Sequence, residues 1–316
     1  MRSDVLYIVI PCYNEEQVLP ETSSRLERIM EDLISKERIS SKSRVLLCDD
    51  GSKDRTWEII EELHAKNELF SGVKASRNRG HQNVLYMGLM VAKDRCDMAI
   101  SMDADLQDDP EVISEFISKY EEGCEIVYGV RSERTTDTSF KRNTAHAFYR
   151  IMNDLGTEVV YDHADFRLMS KRALEELSKF EEVNLFLRGM VTMIGFKTAV
   201  VKYERHERYA GESKYSLSKM MSLAIEGVTS FSVKPMRIVL FGGVGLAGFA
   251  FLAFLALIIV GLCGYWVDAA WICTSLLFIL GGAIIACLGL VGLYAGSTLL
   301  EVKHRPRYII DRILES

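Results

Sequence analysis

The chain has 316 residues, 48% of them hydrophobic, and a formal net charge of −6. That length holds one large domain or two modest ones, and the negative balance excludes nucleic acid as the main partner, because a phosphate backbone calls for a dense basic surface. The seven cysteines lie at 12, 48, 96, 124, 263, 273 and 287 without paired spacing, which excludes a zinc ribbon or a disulfide framework and suits reduced thiols in the cytoplasm.

The first strand is expected over Val5–Ile10, a run too short and too soon polar for a secretory signal. It leads into Pro11-Cys12-Tyr13-Asn14-Glu15. A helix follows, because Leu26, Ile29, Met30, Leu33 and Ile34 recur at three- and four-residue intervals while Arg25, Glu27, Arg28, Glu31 and Asp32 take the other face. The second strand, Val45–Cys48, ends in Asp49-Asp50-Gly51-Ser52. Two readings stand side by side there. One is a tight turn before a capped helix, with Ser52 or Asp54 accepting from first-turn amides. The other is a pair of carboxylates set to accept from a pyrimidine N–H and from ribose hydroxyls.

A later strand, Met98–Met102, runs into Asp103-Ala104-Asp105-Leu106-Gln107-Asp108-Asp109-Pro110. Side chains alternate on an extended segment, so Asp103 and Asp105 point the same way. Two carboxylates so placed outline a site for Mg²⁺ or Mn²⁺ with positions left open for substrate phosphates; the alternative is an acidic loop capping a helix that starts near Pro110. Glu125–Val130 is a further strand, followed by Arg131, and Ser132–Ser139 is a polar loop. Strands separated by helical segments imply an α/β fold with a mostly parallel sheet, and ligands of such sheets sit beyond the carboxyl ends of the strands. Three of these strand ends carry acidic motifs. His81, His146, His163 and His206 have no metal-ligand spacing and are expected to be structural or exposed.

Beyond residue 214 the composition shifts. Apolar residues at 217, 220, 221, 224, 225, 228 and 231 trace one helical stripe, which predicts an amphipathic helix in the membrane interface or an ordinary core helix. Ile238–Leu262 and Trp271–Leu300 contain no charged residue, and each is long enough for a transmembrane helix. Lys234 and Arg237 precede the first, Lys303, Arg305 and Arg307 follow the second, and the loop around Asp268 has no Lys or Arg, so both termini are expected on the cytoplasmic side of a multi-pass inner-membrane protein. Gly243, Gly245 and Gly248 match a dinucleotide fingerprint, but inside an apolar span; they read as helix packing, like Gly292 and Gly296, and they permit a homo-oligomer. The expected division is 1–214 for the α/β domain, 215–236 for the juxtamembrane helix, 237–300 for the transmembrane hairpin and 301–316 for a C-terminal tail.

The stretches 8–16, Asp49–Thr56, Gly80-His81-Gln82-Asn83, Asp103–Glu111, Asp165-Phe166-Arg167-Leu168-Met169 and Gly211–Tyr215 resemble family-2 glycosyltransferases. Their order is that of the polyprenyl-phosphate glycosyltransferases, which include bactoprenol glucosyltransferases and dolichol-phosphate mannose synthase. The resemblance extends through both apolar spans to Arg305-Pro306-Arg307-Tyr308. It implies a GT-A fold, Rossmann-like, and an inverting, metal-dependent transfer of a hexose from a nucleotide sugar, UDP-glucose foremost, to undecaprenyl or another polyprenyl phosphate. It further implies that Pro11, Tyr13, Glu15, Asp49 and Asp50 hold the nucleotide, that Asp103, Asp105 and Gln107 hold Mg²⁺ or Mn²⁺, and that Asp165 faces sugar and acceptor, a capping aspartate being the alternative. Arg131, Arg208 and Lys214 are expected at the lipid phosphate, with Arg142 a weaker candidate.

The chain departs from the mannose synthases at Asp108-Asp109-Pro110, where those more often carry His-Pro-Pro, so a mannose donor is not inherited. UDP-N-acetylglucosamine, a UDP-aminoarabinose derivative and GDP-mannose remain alternative donors. A processive polysaccharide synthase would carry Gln-x-x-Arg-Trp, and none of Trp57, Trp266 and Trp271 has that setting. A non-enzymatic partner in lipid-linked sugar export leaves the acidic strand ends unexplained, and a soluble acceptor leaves the amphipathic stripe unexplained.

Overall fold

The computed structural model describes residues 4–131, 163–181, 187–204 and 306–315, with scattered helical positions between 277 and 303. The elements are β1 (Leu6–Cys12), α1 (Leu19–Ser35), β2 (Arg44–Asp49), α2 (Thr56–Lys66), β3 (Phe70–Ala75), α3 (His81–Lys93), β4 (Met98–Ser101), a short 3₁₀ turn (Pro110–Val112), α4 (Ile113–Glu121), β5 (Ile126–Arg131), β6 (His163–Ser170), α5 (Lys171–Ser178), α6 (Leu187–Met193), β7 (Thr198–Tyr203) and β8 (Ile310–Leu314). The strands form one sheet in the order β7-β5-β6-β4-β1-β2-β3-β8. Its centre, β4-β1-β2-β3, is parallel, and β1 and β2 there are apolar runs buried on both faces, as parallel strands between helices must be. The helix expected from its stripe is α1, which buries Leu26, Ile29, Met30 and Leu33.

The sheet is more mixed than expected, because β6 runs antiparallel to both β4 and β5, and β8 antiparallel to β3. β8 joins the C-terminal tail to the sheet of the α/β domain. Residues 305–316 belong to the same compact unit as Met1–Tyr149 and Glu158–Ser216, while 150–157 and Leu217–His304 form a second unit. The signal for β8 was weak, since Asp311 and Arg312 interrupt its apolar residues and most of the strand is exposed, as an edge strand allows.

The amphipathic stripe and the first apolar span lie outside the described residues. Within the second span, Leu277, Leu280, Ile284, Leu288 and Val291 are helical and solvent-facing, a row spaced at three and four residues. Among the described residues no helix is long and apolar enough to cross a membrane.

Candidate functional site

Register brings the chemistry together. In the β4–β6 ladder Met98 pairs with Ser170 and Ser101 with Arg167, so continuing the ladder two residues sets Asp103 opposite Asp165. Like charges facing each other across strands repel, and a cationic group stands between them. His81 Nε2 lies 3.5 Å from Asp103 Oδ1 and 3.5 Å from Asp165 Oδ2. Burial alone would lower the His81 imidazole, but the two carboxylates outweigh it and raise it to about 9. His81, expected to be structural or exposed, is one-third exposed and bridges the two carboxylates. The Gly80–Asn83 motif already contained this residue, but only the fold places it 22 positions from Asp103 in sequence and beside it in space.

Asp165 is more heavily bound than a capping aspartate. Arg167 Nη2 donates to its Oδ1 at 2.7 Å, while Arg188 reaches Oδ1 through Nε at 3.2 Å and Oδ2 through Nη2 at 3.1 Å. Its backbone carbonyl accepts from the Ser101 hydroxyl. Burial would raise the Asp165 carboxyl, but Arg188, His81 and Arg167 together hold it well below the usual carboxylate range. Arg188 and Gln82 are further site residues without a spacing signal in the sequence. Gln82 Oε1 accepts from Leu187 N at 3.0 Å, which ties the start of α3 to the start of α6 and so sets where Arg188 stands.

Asp103, Asp105 and Gln107 are half-buried and alternate with buried Ala104, Leu106 and Asp108, in a turn that follows the end of β4 at Ser101. The loop keeps its shape through Thr22 Oγ1, which donates to Ala104 O at 2.7 Å, and through Gln107 N, which donates to Asp105 Oδ1 at 3.1 Å. Leu106 is left-handed at φ 55, a conformation that costs a side-chain-bearing residue energy and recurs at functional loops. Asp108 is buried and accepts from Tyr203 Oη at 2.6 Å; Asp109 caps the Pro110 turn through Glu111 N at 3.0 Å, which bears out the capping alternative for that residue. Burial pushes the Asp103 carboxyl up to about 6, with His81 opposing the rise.

Two carboxylates and an amide oxygen within one short loop are the donor types that suit a hard cation taking its remaining ligands from phosphates. The donor set fits Mg²⁺ or Mn²⁺ in an open site. Among the described residues no three of His, Cys, Asp and Glu group into a cage of their own.

The first two strand ends form the neighbouring wall. Asp49 and Asp50 are buried, and burial raises both carboxyls. Asp50 accepts from Arg79 N at 2.7 Å and from Gly80 N at 2.9 Å, and Asp49 accepts from Ser52 N at 3.2 Å. Thus Asp50 fixes the entry to α3, and with it His81. Gly51 is left-handed at φ +65, and a Cβ there would stand 2.8 Å from backbone atoms of Arg77 and Asn78, so the loops approach only because it is glycine.

The loops after β1 and β2 are laced together. Asn14 N donates to Ser52 Oγ at 3.0 Å, Glu15 N to Thr56 Oγ1 at 2.9 Å, and Glu16 N to Asp54 Oδ2 at 3.2 Å. In return Lys53 N donates to Asn14 Oδ1 at 2.9 Å. The turn reading of this motif holds in part, since Asp54 Oδ1 also accepts from Thr56 N at 3.1 Å at the start of α2. Pro11 is buried within β1, and Tyr13 and Glu15 are half-buried in the loop that follows. Arg131 ends β5, where its backbone pairs in register with Tyr203. Arg142, Arg208 and Lys214 lie outside the described residues.

The profile described as Glycosyl transferase family 2 matches residues 7–178. The "Uncharacterized glycosyltransferase YkoT" of Bacillus subtilis (strain 168) is 51% identical over 97% of this chain and 91% of its own length. The "Prophage bactoprenol glucosyl transferase homolog" of Escherichia coli (strain K12) is 38% identical over 97% of this chain and 98% of its own. The "Bactoprenol glucosyl transferase" of Shigella phage SfV is 37% identical over 96% and 97%.

Proposed function

The chain belongs to glycosyl transferase family 2, and from that premise we propose that it transfers a hexose, from UDP-glucose foremost, to polyprenyl phosphate at the cytoplasmic face of a membrane. The observation that carries this reading is the apposition of Asp103 and Asp165 around His81, in a chain similar over nearly its full length to proteins named bactoprenol glucosyl transferase. The row of exposed apolar residues from Leu277 to Val291 supports a lipid setting, since such a row in water is unfavourable.

In this reaction an acceptor phosphate oxygen bonds to the anomeric carbon as that carbon's bond to the β-phosphate oxygen breaks, with inversion, and UDP leaves. A phosphate monoester has its second pKa near about 6, so the acceptor is already mostly a dianion at neutral pH. Removing a proton from it is not required. Asp165 therefore acts by position: ionised and clamped by Arg167 and Arg188, it orients His81 and faces the sugar. A divalent cation, when bound, supplies positive charge to the leaving diphosphate, and Asp103, Asp105 and Gln107 are the residues that would hold it. Pro11, Tyr13 and Glu15 border the nucleotide, while Asp49 and Asp50 act on it through the loops they hold. Arg131, Arg208 and Lys214 orient the lipid phosphate.

The test supplies radiolabelled UDP-glucose and polyprenyl phosphate to membranes carrying the full chain, with and without chelator. Label should enter the organic phase only when both the lipid and a divalent cation are present. A panel of UDP-N-acetylglucosamine, UDP-aminoarabinose derivative and GDP-mannose identifies the donor. Label that stays aqueous with every donor overturns the reading.

A further inference from the structure

After the second apolar stretch the chain returns to the α/β unit, and its last residues do more than end it. β8 extends the sheet past β3, pairing Gly72 with Leu314, Val73 with Ile313 and Lys74 with Arg312, and Ser76 N donates to Ile309 O at 2.9 Å. Arg95 Nη2 meets Glu315 Oε1 at 2.5 Å. Just before the strand, the Arg307 guanidinium lies over the ring of Tyr86 at 4.5 Å from its centroid, and its Nη2 donates to Phe180 O at 2.5 Å. The Tyr308 ring packs on the same Tyr86, centroids 6.3 Å apart.

Tyr86 is on α3, the helix whose first two residues are His81 and Gln82. Two positions further on, Gly88 packs so closely on the sheet that a Cβ there would stand 2.5 Å from Val9 Cγ1. Two residues are about 200° of helix rotation, so Tyr86 and Gly88 occupy opposite faces. α3 is held between the sheet on one side and Arg307 with Tyr308 on the other. Phe180, the second point that Arg307 holds, lies shortly before Leu187 and Arg188 in the chain.

We propose that the C-terminal tail is a positioning element of the site: Arg307 and Tyr308 press α3 onto the sheet and so set where His81 and Gln82 stand against Asp103, Asp165 and Leu187. The influence of the two tail residues passes through Tyr86 and the helix. The turnover arm of the test rests on the transferase reading, whereas the exchange arm does not.

The experiment compares Arg307→Ala, Arg307→Lys and Tyr308→Ala in the full chain with the unaltered protein. Hydrogen exchange at amides 84–92 should quicken by about tenfold or more in Arg307→Ala, as local opening of the helix becomes easier, while amides of β1 and β2 hold their rates. Turnover should fall roughly 10- to 100-fold with the donor KM within about threefold, the signature of displaced rather than missing groups. Arg307→Lys keeps a cation over the Tyr86 ring and should recover part of both. If Arg307→Ala lowers only the melting temperature, with α3 exchange and turnover per folded molecule unchanged, the tail is a plain stabiliser and the proposal fails. Should the unaltered protein transfer no sugar, unchanged exchange in α3 still overturns the proposal, and quickened exchange still upholds it.

Discussion

The single imidazole of His81 stands 3.5 Å from an oxygen of Asp103, just past the end of β4, and 3.5 Å from an oxygen of Asp165, within the neighbouring strand β6. One member, Asp165, is also paired with two guanidiniums; the other is half-buried in the loop that carries Asp105 and Gln107. The two carboxylates thus differ in what they can do. Asp165 is held by Arg167, Arg188 and His81, whereas Asp103 has His81 beside it.

Removing the imidazole exposes the repulsion it masks. His81→Ala should destabilise the cation-free protein by about 1–3 kcal/mol, the usual cost of leaving a buried polar group without its partner. Added Mn²⁺ should then raise the melting temperature of the variant more than that of the unaltered protein, because a ligand that favours the folded form stabilises it by mass action. Thermal melting with and without Mn²⁺ checks this. Equal shifts in the two proteins would show that the imidazole and the cation do not serve the same carboxylates.

Asp165→Asn keeps the size and one acceptor oxygen while removing the charge that Arg167 and Arg188 surround. Turnover should drop by about 10- to 100-fold without vanishing, at or below the low edge of the roughly 10²- to 10⁴-fold that loss of a general base costs. The measurement is steady-state transfer alongside UDP binding. A variant that binds UDP and cation normally yet transfers nothing would make Asp165 an obligate base.

Much of this arrangement was legible before any coordinates. The four strands Val5–Ile10, Val45–Cys48, Met98–Met102 and Glu125–Val130 all form, because central strands bury continuous apolar runs that announce themselves. β3, β6, β7 and β8 were not expected: Gly72 and Lys74 dilute β3, and β6 carries His163, Asp165 and Arg167 among its apolar residues. The acidic loops were readable from composition at strand ends. His81, Gln82 and Arg188 gain their roles from long-range contacts, and no local periodicity encodes those. Asp50 shows the converse. Its type marked it as a ligand-facing carboxylate, but both its oxygens accept from the backbone at Arg79 and Gly80.

Acid should unlace the two loops at Asp54. Burial would raise this carboxyl, but bonds from Thr56 and Glu16 outweigh it and lower it below its ordinary value. A carboxyl lowered in the folded state contributes stability that is fully present above the unfolded-state value of about 3.9 and is lost as pH falls through the folded-state value. Asp54→Ala should therefore cost about 1 kcal/mol at pH 7, the typical worth of such a cap. The gap between the two proteins should stay constant down to about pH 5 and shrink below about pH 4. Melting curves across that range check it; a gap that widens toward acid would show that the charged form is not the stabilising one.

Gly88 sets two opposing effects against each other inside α3. Alanine is the better helix former, by about 1 kcal/mol in an exposed helix interior. Here the added methyl would stand 2.5 Å from Val9 Cγ1 and collide with Cys48 Sγ, both in buried strands. Overpacking of this kind costs about 1–3 kcal/mol or more, and neither neighbour has a long flexible end that could swing aside. The clash outweighs the propensity, so Gly88→Ala should lower stability, whereas alanine substitution at an exposed helical glycine would raise it. Because α3 carries His81 and Gln82, an outward shift of the helix should reduce UDP binding as well as the melting temperature. A variant that melts at or above the unaltered protein would mean that α3 sits less tightly on β1 and β2 than these contacts require.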